Sequence, residues 1–294
     1  MLAQSTTESA PFLTQGLADL ELAVRGGRTC LVRKRVDPPL VVQRALYLDQ
    51  ALPDMAFVYL ANPTAGILQG DHLKVRVKVA PNAKAHLTTQ SATKLFAMPD
   101  GSASQETELT VEPGAYLEYL PDQVIPFRAA RFSQKTSMTV AADATLIYRE
   151  IIAPGRTARG ESLAYDCFKS RLSINTPDGF PIYRERFSLA PNSRCLLGRG
   201  VLGTGVSPTL GTLLVVTGAV GAEVLRDRMR DCLKDLLVTN DATTWGISLL
   251  PGGGGVGLKI MASSVESARN ALSAAWKEAR RLILGVDPPS LRKY

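Results

Sequence analysis

From His72 to Val79 the chain alternates without a break, with Leu73, Val75, Val77 and Val79 on one side and Lys74, Arg76 and Lys78 on the other. That two-residue period fits a pleated strand with one face on a core and the other in water; a helix would scatter the valines around its circumference. Shorter stretches with the same grammar recur. Residues 17–35 read as a hairpin turning at Gly26-Gly27, and further strands are predicted at 41–47, 55–60, 85–89, 105–111, 115–120, 137–140, 144–152, 165–174 and 182–188. Pro81-Asn82, Pro113-Gly114 and Pro177-Asp178-Gly179 punctuate them as turns. Strands of this size and spacing predict stacked or sandwiched sheets rather than βαβ units, and no fixed repeat period is visible.

Two late segments change period. Residues 223–237 place Val224, Leu225, Met229, Cys232, Leu233 and Leu236 on one stripe, which predicts an amphipathic helix. Residues 264–284 predict a second, with Val265, Ala268, Leu272, Ala275, Trp276, Ala279 and Ile283 as its apolar face. Ser263 and Glu266 have capping-box spacing, Gly285 is placed to end the helix, and Pro288-Pro289 stop it. A buried strand is expected around Leu213-Leu214-Val215-Val216. The fold class read from these patterns is mostly β, with stacked, solenoid-like strands and two α-helices in the C-terminal third. A single domain over residues 1–294 is expected, with about residues 1–14 disordered.

Charge and motifs exclude more than they assign. The 34 basic and 27 acidic residues leave a net charge of +7, which suggests an acidic partner. Neither dense basic cluster, Arg33-Lys34-Arg35 or Arg280-Arg281, is interleaved with aromatic residues, so no nucleic-acid role is expected. The uncharged stretch 200–222 is too rich in glycine and hydroxyl residues for a membrane span. The N-terminus lacks the basic and apolar regions of a signal peptide, and the four cysteines (30, 167, 195 and 232) form no CxxC pair. Both facts point to reduced, buried thiols in the cytoplasm. Two stretches match GxGxxG by letter. Gly198, Gly200 and Gly203 run on to Pro208 and a strand, whereas Gly252, Gly254 and Gly257 lie between two strand-like pieces as a glycine-rich hairpin. Gly252 and Gly257 also have P-loop spacing, but Leu258 occupies the lysine position. There is no GxSxG, and the Asp71-His72 pair could touch a metal or be an ordinary packed or solvated pair. No catalytic constellation emerges.

Residues 62–96 carry a more specific signal. Asn62-Pro63, Gly66, Gly70-Asp71 and the run Thr88-Thr89-Gln90-Ser91-Ala92-Thr93-Lys94 occur in an order that resembles the urease accessory protein family UreD, also called UreH. Pro121-Asp122 within 117–132, Arg156, Gly160 and Glu161 within 150–161, Arg184-Glu185-Arg186, Leu250 to Gly254 and Pro288 to Tyr294 extend the resemblance across about residues 16–294. Two positions depart from the family pattern: Ala65 replaces a usual glycine, and Gln69 replaces the first glycine of Gly-Gly-Asp. An extra Cβ at either place is expected to shift the turn.

The resemblance implies a non-enzymatic maturation factor with no tightly bound cofactor. Such a factor binds the urease structural subunits and recruits UreF and, through it, the GTPase UreG, with nickel in transit. It also implies a mostly β, stacked fold and places Asp71, Glu150 and Glu185 at lining positions of an internal passage; a salt bridge is the other reading for each carboxylate. A handover protein must hold its ion weakly, which fits scattered carboxylates better than a His/Cys cluster. Two further expectations follow from the residues: basic faces such as Lys74/Arg76/Lys78 steer acidic partners, and the C-terminal helices supply part of a partner surface. A generic β-scaffold adaptor for another client complex is the alternative.

Overall fold

The computed structural model describes residues 15–191, 209–237 and 243–291. The expected disorder of residues 1–14, Cys195, the Gly198/Gly200/Gly203 pattern and the last three residues of the basic tail lie outside the described residues. In chain order the strands are β1 (Gln15–Arg25), β2 (Arg28–Asp37), β3 (Val41–Val42), β4 (Ala56–Ala61), β5 (His72–Val79), β6 (Lys84–Thr89), β7 (Thr93–Leu95), β8 (Ala103–Val111) and β9 (Tyr116–Tyr119). They continue as β10 (Val124–Pro126), β11 (Arg131–Val140), β12 (Thr145–Ile152), β13 (Cys167–Asn175), β14 (Pro181–Leu189), β15 (Thr209–Thr217), β16 (Thr244–Leu249) and β17 (Gly255–Ala262). The helices are α1 (Ala222–Leu237) and α2 (Val265–Leu284).

Two large sheets face each other. One runs β14-β13-β11-β8-β5-β1-β2 and the other β16-β17-β15-β12-β9-β6-β4-β3. Their middles form a parallel solenoid in which the chain alternates between the sheets. The rungs step by 29 residues (Ala56 to Ala85), 32 (Lys84 to Tyr116) and 29 (Tyr116 to Thr145) in the second sheet. They step by 32 (His72 to Ser104), 29 (Ala103 to Phe132) and 36 (Arg131 to Cys167) in the first. The unequal coils explain why the sequence shows no fixed period: the ladders stay in register while the corners absorb the difference.

The second sheet is core on both faces. Leu146, Tyr148 and Ile152 of β12 face the first sheet, whereas Ile147 and Ile151 pack with Leu225, Met229 and Leu233 of α1 and Leu272, Ala275 and Ala279 of α2. No residue of β12 is exposed as a result. The order is therefore sheet, sheet, helix pair. No helix among the described residues is long and apolar enough to cross a membrane.

Several sequence expectations need adjusting. The α2 N-cap is Ser264, whose side chain accepts from Ser267 N–H, not Ser263 paired with Glu266. Gly285 ends the helix in the left-handed region as expected, and Gly252 to Gly254 form a turn between antiparallel β16 and β17. Only Val41–Val42 of residues 41–47 is continuous strand; beyond it the chain stays on β4 through an isolated bridge, Leu46 and Phe57 exchanging backbone hydrogen bonds at 2.8 and 2.9 Å. Val224 and Leu236, read as part of the α1 core stripe, are exposed. Cys30, Cys167 and Cys232 are free and half-buried rather than fully buried. The largest surprise is Arg280, half of the Arg280-Arg281 basic cluster. It is fully buried, with Nη1 donating to Glu118 Oε1 at 2.8 Å and Nη2 paired to Asp49. Glu118 also accepts from Tyr116 OH at 2.6 Å and meets His86 Nδ1 at 2.6 Å.

Candidate functional site

A third, narrow face closes one corner of the solenoid. Ile67 bridges Leu95 in parallel, β7 pairs with β10, and Val124 of β10 pairs with Ile152. The motif segments around Asn62, Thr93-Lys94, Pro121-Asp122 and Glu150 thus occupy equivalent corners of successive coils. Side chains stack there as well: the Phe96 and Phe127 rings meet edge-on at 5.0 Å, and the Arg156 guanidinium lies over Phe127 at 4.1 Å. Glu161 clamps Arg156 from its other side, accepting from Nε at 2.7 Å, and Gly160 turns the chain between them in the left-handed region.

The first corner is a braced turn. Asn62 Nδ2 donates to Gly66 O at 2.9 Å, and Thr64 Oγ1 donates to Asn62 Oδ1 at 2.6 Å. Gly66 is required by close approach, since a Cβ there would lie 2.4 Å from Lys94 O. Both family departures sit beside it. Ala65 holds the turn at φ 67, a left-handed conformation that opposes a side chain. Gln69 takes no such strain, and its Oε1 accepts from Asp100 N at 3.0 Å. Ala65→Gly is therefore expected to stabilise the protein by about 0.5–1 kcal/mol. A thermal midpoint unchanged or lowered would show that the turn is relaxed with alanine.

Behind this corner lies a cavity of about 150 Å³ between the sheets. Asn62, Gly66, Thr89, Gln90, Lys94, Pro121, Asp122 and Glu150 all line it, and the exposed Gln90 and Lys94 stand at its mouth. Its walls are completed by residues that the sequence reading passed over: Gln105 and Thr107 of β8, Gln134 and Thr136 of β11, Tyr119 and Tyr148. Register sets Gln105 beside Gln134 and Thr107 beside Thr136, so polar side chains replace the apolar inward row of Leu109 and Met138 farther along the same strands. That substitution also hid the first half of β11 from pattern reading. A polar residue at an inward strand position was the available signal.

Glu150 is the carboxylate inside this space. Burial pushes its pKa up, and a short hydrogen bond from Gln134 Nε2 and the charge of Lys259 offset the shift in part. Tyr148 OH donates to it at 3.3 Å. Burial raises the Tyr119 hydroxyl to about 12, so it stays protonated and able to donate. Asp122 borders both this cavity and a second one of about 250 Å³ beneath α2, where His86 and Arg149 lie. The polar part of the lining is hydroxyl and amide, with the buried carboxylates of Glu150 and Asp122, and Leu40, Leu60, Ile67, Leu73, Val124 and Phe132 make up an apolar part of similar extent.

The remaining candidates fall outside the cavity lining. Asp71 is buried and its Oδ2 accepts from Leu68 N–H at 2.9 Å, bracing the turn that contains Gly70. His72, its neighbour, faces the opposite way and meets Ser104 Oγ at 2.7 Å. Glu185 points inward from β14 and pairs with Lys259 Nζ at 2.6 Å; Lys259 also donates to Thr212, the register partner of Glu150. Thr88 Oγ1 donates to Leu120 O at 2.6 Å on the α2 side. Pro63 lies exposed in the first turn. Among the described residues, no three His, Cys, Asp or Glu groups come together in a way that would hold a metal ion.

Comparison with known proteins places these features in a family. A family model described as "UreD urease accessory protein" matches residues 14–293. A Streptomyces griseus protein named urease accessory protein UreD 2 is 39% identical over 95% of this chain and 93% of its own length. The urease accessory protein UreD of Cenarchaeum symbiosum is 34% identical over 94% of each chain. That of Photorhabdus laumondii is 35% identical over 93% of this chain and 84% of its own length.

Proposed function

The chain belongs to the UreD urease accessory family, and on that premise we propose that it is a non-catalytic maturation factor through which nickel reaches apo-urease. Family membership supports the role in urease maturation. The finer reading is that the chain binds the urease structural subunits in the cytoplasm and recruits UreF. Through UreF it recruits the GTPase UreG, which supplies nickel as cargo.

The observation that carries the passage reading is the convergence of separate motif segments on one partly polar cavity containing Glu150. Nickel is held firmly by imidazole and thiolate donors in fixed geometry. The hydroxyls, amides and single carboxylates among its lining residues offer weak oxygen ligation, which lets an ion move on.

Capture of the tagged chain from cells expressing the urease operon of the same source tests the proposal. UreF, UreG and inactive urease are expected in the captured material, with activity appearing when nickel is added. Recovery of none of them by a folded, soluble chain would overturn it and leave an adaptor for another client.

A further inference from the structure

The net charge of +7 is unevenly placed. On the outer face of the seven-stranded sheet, the cations of β5 expected to steer partners are engaged. Lys74 bridges Glu108 at 2.9 Å, Arg76 bridges the same carboxylate at 2.9 Å, and Lys78 bridges Glu112 at 3.0 Å. The other half of the same face is different. Lys135, Lys169, Arg171, Arg184 and Arg186 on β11, β13 and β14 are exposed, and none forms an ion pair among the described residues. Register sets Lys135 beside Arg171 and Arg171 beside Arg186, a row of three cations across adjacent strands. The only carboxylate on these three strands, Glu185, points inward to Lys259.

Among the described residues one acid adjoins the row in register: Glu106 of β8, beside Lys135, which is already bridged to Lys74 at 3.4 Å on its other side. The stretch 192–208 that follows β14 contains Arg194 and Arg199 and no acid, and the other undescribed residues contain only Glu8 and Asp241. A second copy carries the same excess of positive charge. Like charges held together with few counter-charges cost stability, and such a patch is the usual electrostatic complement of an acidic surface.

We propose that the outward face of β11, β13 and β14 docks an acidic surface of a protein partner. Protein rather than nucleic acid is favoured by the size and borders of the patch. Three strands span roughly 10 Å, and the adjoining β8 presents Glu106 and Glu108 outward beside them. A duplex about twice as wide as the patch would lie over that acidic row, whereas a single acidic segment would not.

The test uses the full chain with a labelled oligo-glutamate peptide and a labelled mixed-sequence DNA duplex, followed by fluorescence anisotropy at about 50 and 200 mM salt. The peptide is expected to bind and to weaken with salt. The triple variant Lys135→Ala, Arg171→Ala, Arg186→Ala is expected to lose about tenfold in affinity. Removing as many cations from α1, at Arg226, Arg230 and Lys234, is expected to change it little. Equal affinity of the first triple and the unaltered chain, no peptide binding, or preference for the duplex would each overturn the proposal. Capture of the urease assembly by the same triple variant then asks whether the partner belongs to that assembly. Failure of the unaltered chain to capture it would count against the maturation reading and leave the peptide result to decide on the face.

Discussion

Arg280→Ala is expected to cost about 3–5 kcal/mol. The guanidinium is fully buried between Asp49 and Glu118, and alanine would leave both carboxylates enclosed without their cation. Burial alone would push the Glu118 pKa up, but the hydrogen bond from His86 and the charges of His86 and Arg280 outweigh it and hold the carboxyl at about 2. A depressed carboxylate contributes stability that is present above its ordinary value of 4.5 and is lost as pH falls through about 2. Urea denaturation at neutral pH, compared with Arg281→Ala, checks the claim. Arg281 makes half-exposed bridges to Glu278 and Asp287, and its loss is expected to cost about 1 kcal/mol or less. Equal effects for the two arginines would show that the buried cluster is not what secures α2.

The second large effect is on function. Glu150→Gln is expected to lower nickel-dependent urease activation by about tenfold or more, with capture of the urease assembly unchanged. Glutamine keeps the size and hydrogen bonds of the side chain and removes its charge from the cavity. The same substitution is expected to stabilise the folded chain. Because burial raises the Glu150 pKa, the ionised form is disfavoured in the fold. Its contribution is fully present below the ordinary carboxylate value and is lost as pH rises through the raised one. The variant should therefore show a higher thermal midpoint at neutral pH, with the gain vanishing near pH 4. Full urease activation with the variant would remove Glu150 from the nickel route. A lowered midpoint at neutral pH would mean that its charge is compensated in the fold.

The strand grammar was legible wherever inward positions are apolar. β5 falls on its predicted span, His72–Val79, and both late helices stand within a residue or two of their stripes. Legibility failed where the interior becomes polar. Gln134 and Thr136 concealed half of β11, and the three-residue strands β7 and β10 are too short to carry a period. Those failures mark the cavity, because a strand that lines polar space cannot also show an apolar alternation. The candidate site was legible only as separate motifs. That Asn62, Thr89, Asp122 and Glu150 meet follows from coil lengths of 29 and 32 residues, which only the ladders reveal. Arg280 was opaque for a different reason: its partners lie 231 and 162 residues away in the chain.

That separation orders how the molecule can be put together. Each rung of the solenoid closes a loop of about thirty residues, and the closure entropy grows only slowly with length, so coils can be laid down one on another as the chain emerges. The Asp49–Arg280–Glu118 cluster cannot form until α2, which follows every strand in the chain, has been synthesised. Until then the outer face of the second sheet is an unfinished core holding two carboxylates that lack their cation. The last helix therefore acts as a latch. A chain truncated before it would present both an apolar face and the carboxylates of Asp49 and Glu118 without Arg280 to quality control, whereas a chain that includes α2 conceals them.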